Sequence, residues 1–273
     1  METTPRDTYI YDQQWQQERA RQAGLAANFD ATTTRHLASL GVTNGWRCLE
    51  AGAGAGSVAR WLAETVGPSG RVTATDRDTR FLDDLVGQPP VEVVRHDVTT
   101  DPIEPGAYDL VHARALVEHV ADRAAVVATL ASALRPGGIL LLEDVVFGGP
   151  ATQAFARVTR PAAIADAMYT AFHAVSGGFR AIGADPEYGL ELPAALRAAG
   201  LVDVDAELTY RLVRGDSPEA AFYQLTLSQL APRLIDAGLL TPQQSEQVIG
   251  ATSDPDAQWL SIGLTSAWGR VPA

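Results

Sequence analysis

An acid followed by glycines at every second position, Glu50-x-Gly52-x-Gly54-x-Gly56, is the first constellation in this chain that could do chemistry. The glycines present backbone N–H groups without side-chain bulk, as a closely approaching ligand requires. A dinucleotide fingerprint would read G-x-G-x-x-G, with its last glycine beneath a pyrophosphate. Here the spacing differs, and a carboxylate two residues before the first glycine would repel a pyrophosphate while suiting an ammonium. Asp76 stands twenty positions beyond Gly56 and closes the apolar run 71–75, where an acid can accept hydrogen bonds from a ribose diol. The two features together point to a nucleoside cofactor.

The elements that must position these residues follow from periodicity. Strands are expected at 47–51, 71–76, 91–96, 108–112, 139–144 and 201–208, with a last one over 259–268. Helices are expected from Ser57 to about residue 66, over 80–86, 121–133 and 192–199, and from a start at Ser217-Pro218-Glu219. Such alternation predicts a parallel sheet with right-handed crossovers and helices on both faces. Gly52, Asp76, Asp97, His112 and Glu143 each fall at an expected strand end, the side on which ligands sit in these sheets. Ahead of the sheet, Tyr11, Trp15, Glu18 and Gln22 share a helical face, so the segment is either a docked terminal helix or a lid in which Tyr11, Trp15 or Arg19 closes over a ligand. A second helix is expected from residue 30 or 32 to about 40, ending at Gly41. The stretch 147–188 reads as two helices interrupted by Gly177-Gly178, an apolar cap able to roof a small, largely apolar substrate.

The chain has 273 residues, 46% of them hydrophobic and 20% charged, which is ample for a globular core. A net charge of -12 and the lack of a basic stripe disfavour nucleic acid and anionic membranes as partners. The single cysteine, Cys48, sits in the first core strand and reads as a buried apolar residue. No zinc-ligand spacing, signal region or membrane-length apolar run is found, so no metal is expected and the location is read as cytoplasmic.

In their order and intervals, Leu49-Glu50-Ala51-Gly52-Ala53-Gly54-Ala55-Gly56, Asp76-Arg77, His96-Asp97-Val98, residues 108–114 and Leu134-Arg135-Pro136-Gly137-Gly138 resemble the class I S-adenosylmethionine-dependent methyltransferases, in particular the ubiquinone/menaquinone-biosynthesis-like group with its many enzymes of bacterial secondary metabolism. The resemblance implies an α/β, Rossmann-like, seven-stranded and mostly parallel sheet whose last strand inserts antiparallel beside strand six. It implies S-adenosylmethionine as cofactor. Gly52, Gly54 and Gly56, opening helix two at Ser57, would pass beneath its methionine part near Glu50. Asp76 would take both ribose hydroxyls and Arg77 would flank the adenine. Asp97 would accept the exocyclic amine, Val98 would offer a backbone N–H, and Ala113 and Arg114 would face the methionine end.

The expected organisation is an N-terminal helical lid (1–40), a core (41–146, 191–215 and 253–273), a helical cap (147–190) and a second helical insertion (216–252). A general base, where an acceptor carries a proton, would come from His112, His119, His173, Glu143 or Asp144. Of these, His173 in the cap, His119 and Glu143 are the catalytic candidates. Neither an Asn/Asp-Pro-Pro-aromatic run nor an accessible cysteine is present, which leaves a small-molecule acceptor, methylated on oxygen, nitrogen or carbon. The N-terminal helix offers a surface for a homodimer. Rival readings are a protein that binds the cofactor but catalyses a cyclisation, a dinucleotide dehydrogenase, and a non-enzymatic sensor.

Overall fold

The computed structural model describes residues 11, 12, 14, 16–147 and 152–273, which divide into two compact units. In chain order the elements begin with α1 (Glu18–Ser39), β1 (Arg47–Ala51), α2 (Ser57–Val66), β2 (Arg71–Asp76), a 3-10 turn (Thr79–Leu85) and β3 (Val91–Arg95). Then come β4 (Tyr108–Arg114), α3 (Arg123–Ser132), β5 (Leu134–Val146), α4 (Thr152–Val158), α5 (Ala165–Ala181) and α6 (Leu192–Ala198). The chain closes with β6 (Val202–Thr209), β7 (Leu212–Arg214), α7 (Pro218–Asp236), α8 (Pro242–Thr252), β8 (Gln258–Leu260) and β9 (Gly263–Arg270).

The sheet unit comprises Phe29–Val145, Tyr188–Thr209 and Leu264–Ala273. Its seven strands run in the order β3-β2-β1-β4-β5-β9-β6, with β3, β2, β1, β4 and β5 parallel and β9 antiparallel to β6. The expected Rossmann-like class I architecture is therefore present. Strand order reverses between β1 and β4, which makes the carboxyl end of β1 the natural crevice. Successive strand residues alternate between two cores: Cys48, Leu110 and Leu141 join Val58 and Leu62 of α2, whereas Leu49, Val111 and Leu142 join Val127 and Leu130 of α3. Burial on both faces is why these strands read as continuous apolar runs.

The helical unit holds the described part of Met1–Asn28, with Val146–Glu187 and Tyr210–Gly263. Helices α4, α5, α7 and α8 pack with the β7–β8 pair, and Trp259 and Phe179 are fully buried. No helix among the described residues is long and apolar enough to cross a membrane.

Three local expectations are corrected. The two helices expected before the sheet are one 22-residue helix. Gly24 does not break it. A Cβ there would meet the Phe222 backbone nitrogen at 2.6 Å, so the glycine serves close packing against α7. Gly24→Ala is accordingly expected to destabilise the protein by about 1–3 kcal/mol through overpacking, measured as a lowered melting temperature. An unchanged melt would show that the two helices can part without cost.

Gly177-Gly178, expected to interrupt the cap, lie inside α5. The buried face of Met168, Ala171, Val175 and Phe179 outweighs the weak intrinsic propensity of glycine. The single strand expected over 259–268 is split into β8 and β9. At the break, Ser261 N–H still pairs with the carbonyl of Arg211, its partner in the continued β7–β8 register (2.7 Å), whereas Ile262 N–H donates to the Tyr223 phenol oxygen (3.2 Å) and leaves the ladder.

Candidate functional site

Strand β1 delivers the chain into a turn in which Gly52, Gly54 and Gly56 have φ of 70°, 53° and 77°, a region that strongly favours glycine. At Gly56 even the space is lacking, because a Cβ would lie 2.7 Å from Leu85 Cδ1 and 2.9 Å from Leu82 Cδ2. The turn is fastened to the tip of β2. Gly54 N–H donates to Asp76 Oδ2 and Asp78 N–H to Asp76 Oδ1, both at 2.9 Å. Each carboxylate oxygen thus holds one backbone donor and keeps acceptor capacity for another. Burial raises the Asp76 pKa above the ordinary range, against the pull of its two N–H bonds.

At the end of β3, His96 N–H donates to the Asp76 carbonyl (3.0 Å), so the two strand tips stay together. Asp97 Oδ1 accepts the N–H (2.9 Å) and hydroxyl (2.6 Å) of Thr99, while Arg77 Nη1 stands 3.9 Å from Oδ2. Burial would raise the Asp97 pKa, but the Thr99 bonds and the charges of Arg77 and His96 bring it below the usual value. Val98 is half-buried against the core.

In-register parallel pairing sets Glu50 beside His112 and Arg114 beside Glu143. The result is a buried polar ladder. His112 Nδ1 lies 2.6 Å from Glu50 Oε2, His112 Nε2 lies 3.3 Å from Glu143 Oε2, and Ser266 donates to Glu143 Oε1 at 2.5 Å. Thr33 of α1 donates to Glu143 Oε2. Arg114 donates to Thr33 Oγ1 and to Asp30 Oδ1, both at 2.8 Å, and Ser57 donates to the same Asp30 oxygen at 3.1 Å. Burial alone would lower the His112 pKa; the two flanking carboxylates outweigh it and raise it to about 9, so His112 is an imidazolium. Glu143 is held below the ordinary carboxylate range, burial being outweighed chiefly by His112. With both oxygens engaged and no exposure, Glu143 is built to hold a cation and not to take a proton from a substrate.

Beside the ladder, Asp144 Oδ1 accepts from Leu116 N–H and Oδ2 from Glu118 N–H, both at 3.1 Å. These bonds pin the loop after β4, where Ala115 adopts φ 51° and Leu116 lies against Gly52. Burial and the Glu118 charge push the Asp144 carboxyl well up. His119 is buried with Nε2 3.2 Å from Glu118 Oε1, and Ala113 is buried at the end of β4.

The sheet unit therefore gathers Glu50, the glycine turn, Ser57, Asp76, Arg77, Asp97, Val98, Ala113, Arg114, His119 and Glu143. Tyr11 and His173 belong to the helical unit. Tyr11 is buried, edge-on to Phe179 and 3.8 Å beneath the Arg21 guanidinium. His173 is exposed on α5, its Nδ1 3.0 Å from the Tyr169 carbonyl oxygen. Trp15 lies outside the described residues. Sequence reasoning missed Asp30, Thr33 and Ser266, and it did not foresee His112 as the charge at the centre of the ladder. The available signal was polar residues ending apolar runs at matching parity.

Residues 49–142 match the family described as a methyltransferase domain. Over these residues the chain is similar to a methyltransferase domain, and the sheet unit has the class I methyltransferase fold. The match runs from β1 into β5 and takes in the glycine turn, Asp76, Asp97 and His112, whereas Thr33, Glu143 and Ser266 of the ladder lie outside it. An uncharacterised 37.1 kDa protein of transposon TN4556 from Streptomyces fradiae is 34% identical over 112 residues, 40% of this chain and 32% of that protein. The methyltransferase fold is also seen in Haemonchus contortus phosphoethanolamine N-methyltransferase 2, solved with phosphomonomethylethanolamine and S-adenosylhomocysteine. There the TM-score is 0.62 at 14% identity, covering 99% of this chain and 61% of that one. The [4+2]-cyclase SpnF has a TM-score of 0.50 at 17% identity, covering 89% and 81%. The chain thus spans about a third of the curated relative and three-fifths of the Haemonchus enzyme.

Proposed function

We propose that the chain transfers the methyl group of S-adenosylmethionine to a small-molecule acceptor, within bacterial secondary metabolism. The observation that carries this reading is the clamped Asp76 carboxylate beside a turn of three left-handed glycines. The residues fit the group. Asp76 suits a ribose diol and Asp97 Oδ2 an exocyclic amine; Glu50 suits an ammonium, and bare backbone lies where the chain must approach closely. When bound, the cofactor supplies an already activated methyl group, which leaves the protein the tasks of alignment and exclusion of water. His112 fixes the side chain of Glu50, and Arg114 ties Asp30 and Thr33 into the same network. Asp144 holds the loop after β4 in its strained path.

Calorimetric titration with S-adenosylmethionine, with NAD as control, tests the cofactor; micromolar binding of the first alone is expected. Binding of NAD, or of neither, would sink the reading. The cyclase reading keeps one supporting observation, the shared fold with SpnF. Methyl-labelled cofactor decides between them, since a methyltransferase carries the label into its product and a cyclase does not.

A further inference from the structure

The helical unit contains a cavity with an open mouth. Its walls are aromatic: Phe147, Phe155, Tyr169, Phe172 and Tyr210 line it together with His173 and short aliphatic residues. Phe155 and Phe172 meet edge to face at 5.3 Å, and Phe172 stacks on Tyr223 at 5.5 Å, so the walls are braced by further rings. Tyr169, 40% exposed, stands against His173 with ring centroids 3.9 Å apart. Among the described residues, none that line the cavity carries a carboxylate or a guanidinium. A ligand charge would therefore find no opposite charge among these side chains. A phosphate-bearing ligand such as phosphomonomethylethanolamine would find no cation in this lining.

One polar group in the lining has a defined sense. A carbonyl oxygen can only accept, so the 3.0 Å contact with Tyr169 O places the proton of neutral His173 on Nδ1 and leaves Nε2 as an acceptor. The Ser261 hydroxyl, by contrast, already accepts from Arg211 N–H at 2.8 Å. We propose that this cavity receives a neutral, flat aromatic molecule bearing a hydroxyl, and that His173 Nε2 accepts the hydroxyl's hydrogen bond. The rings supply offset-stacked and edge-to-face partners for such a molecule, and His173 orients it. The binding of this molecule does not rest on the methyltransferase reading.

The test is therefore run without cofactor. The full chain is titrated with 2-naphthol, with 2-methoxynaphthalene (the same rings without a donor) and with phosphoethanolamine. Saturable binding of 2-naphthol is expected, about tenfold tighter than its methyl ether, the equivalent of one net hydrogen bond. Phosphoethanolamine should not bind. His173→Phe should abolish the preference for 2-naphthol while retaining both aromatic ligands. Phe172→Trp, which fills the cavity, should weaken both at least tenfold, with melting curves confirming that each variant folds. Absence of saturable 2-naphthol binding, equal binding of phosphoethanolamine, or wild-type affinity in the Phe172→Trp variant would overturn the cavity's assignment. An unchanged preference in His173→Phe would overturn the role of His173. Failure of S-adenosylhomocysteine to bind in a separate titration would count against the methyltransferase reading alone.

Discussion

Replacing Asp76 with alanine should lower the affinity for S-adenosylmethionine by about a hundredfold or more. A hydrogen bond to a charged group is worth about 1.5–3 kcal/mol, and a diol makes two. The carboxylate is also preorganised, since Gly54 and Asp78 N–H groups hold its oxygens before any ligand arrives. The same arrangement makes Asp76→Asn a sharp second test. Both oxygens accept backbone N–H groups, so an amide must aim its NH2 at one of them, and the isosteric variant should fare nearly as badly as alanine. Calorimetry with S-adenosylhomocysteine and with methylthioadenosine, which keeps the ribose and lacks the amino acid part, measures the effect. Both ligands should lose affinity alike. Less than a fivefold loss in a variant that melts normally would remove Asp76 from the site.

His112→Gln should destabilise the protein by about 3–5 kcal/mol, because it removes the cation from between two buried carboxylates. The pH dependence distinguishes this cause from simple repacking. His112 has an ordinary pKa of 6.5 when unfolded and about 9 when folded, so its contribution is complete below pH 6.5 and is lost as pH rises through 9. The loss is on the order of 3 kcal/mol. Glu143, lowered in the fold, works in the opposite sense: its contribution is present above about 4.5 and lost as pH falls below that. His36, lowered chiefly by burial, works in the sense opposite to His112 and adds no loss to the alkaline limb. The sequence contains no lysine, and the buried Cys48 thiol, pushed up by burial from an ordinary 9.0, adds its own fall only above about pH 9. Denaturant midpoints at pH 6.5, 7.5 and 8.5 should fall steeply in the wild type and stay nearly flat in His112→Gln. Parallel slopes would show that His112 is not the charged centre of the ladder. The affinity for S-adenosylhomocysteine should drop in the same variant, since Glu50 loses its anchor, while methylthioadenosine affinity holds.

These predictions draw unequally on sequence and structure. The alternation of strands and helices, the glycine turn and the acids at strand tips were legible because each rests on local properties. Apolar period, backbone permissiveness at glycine and the helix start at Ser217 are all read within a few residues. That is why Asp76 and the class I core could be read without coordinates. The ladder could not. Its members are 62 positions apart from Glu50 to His112 and 123 from Glu143 to Ser266, and their meeting depends on strand register and on which face each residue takes. A slip of one residue would have sent His112 to the other face. Helix continuity was likewise a tertiary decision. Gly24 and Gly177-Gly178 look like breaks by propensity, yet packing against Phe222 and within the α5 core holds both helices whole. The division of the last strand into β8 and β9 was settled by β7, which pairs with β8, and by Tyr223, which captures the Ile262 backbone donor from far along the chain. Local sequence thus determined which elements form and which chemistry they can carry. Tertiary structure decided which charges are buried together, because burial and register are properties of the assembled sheet and not of any one strand.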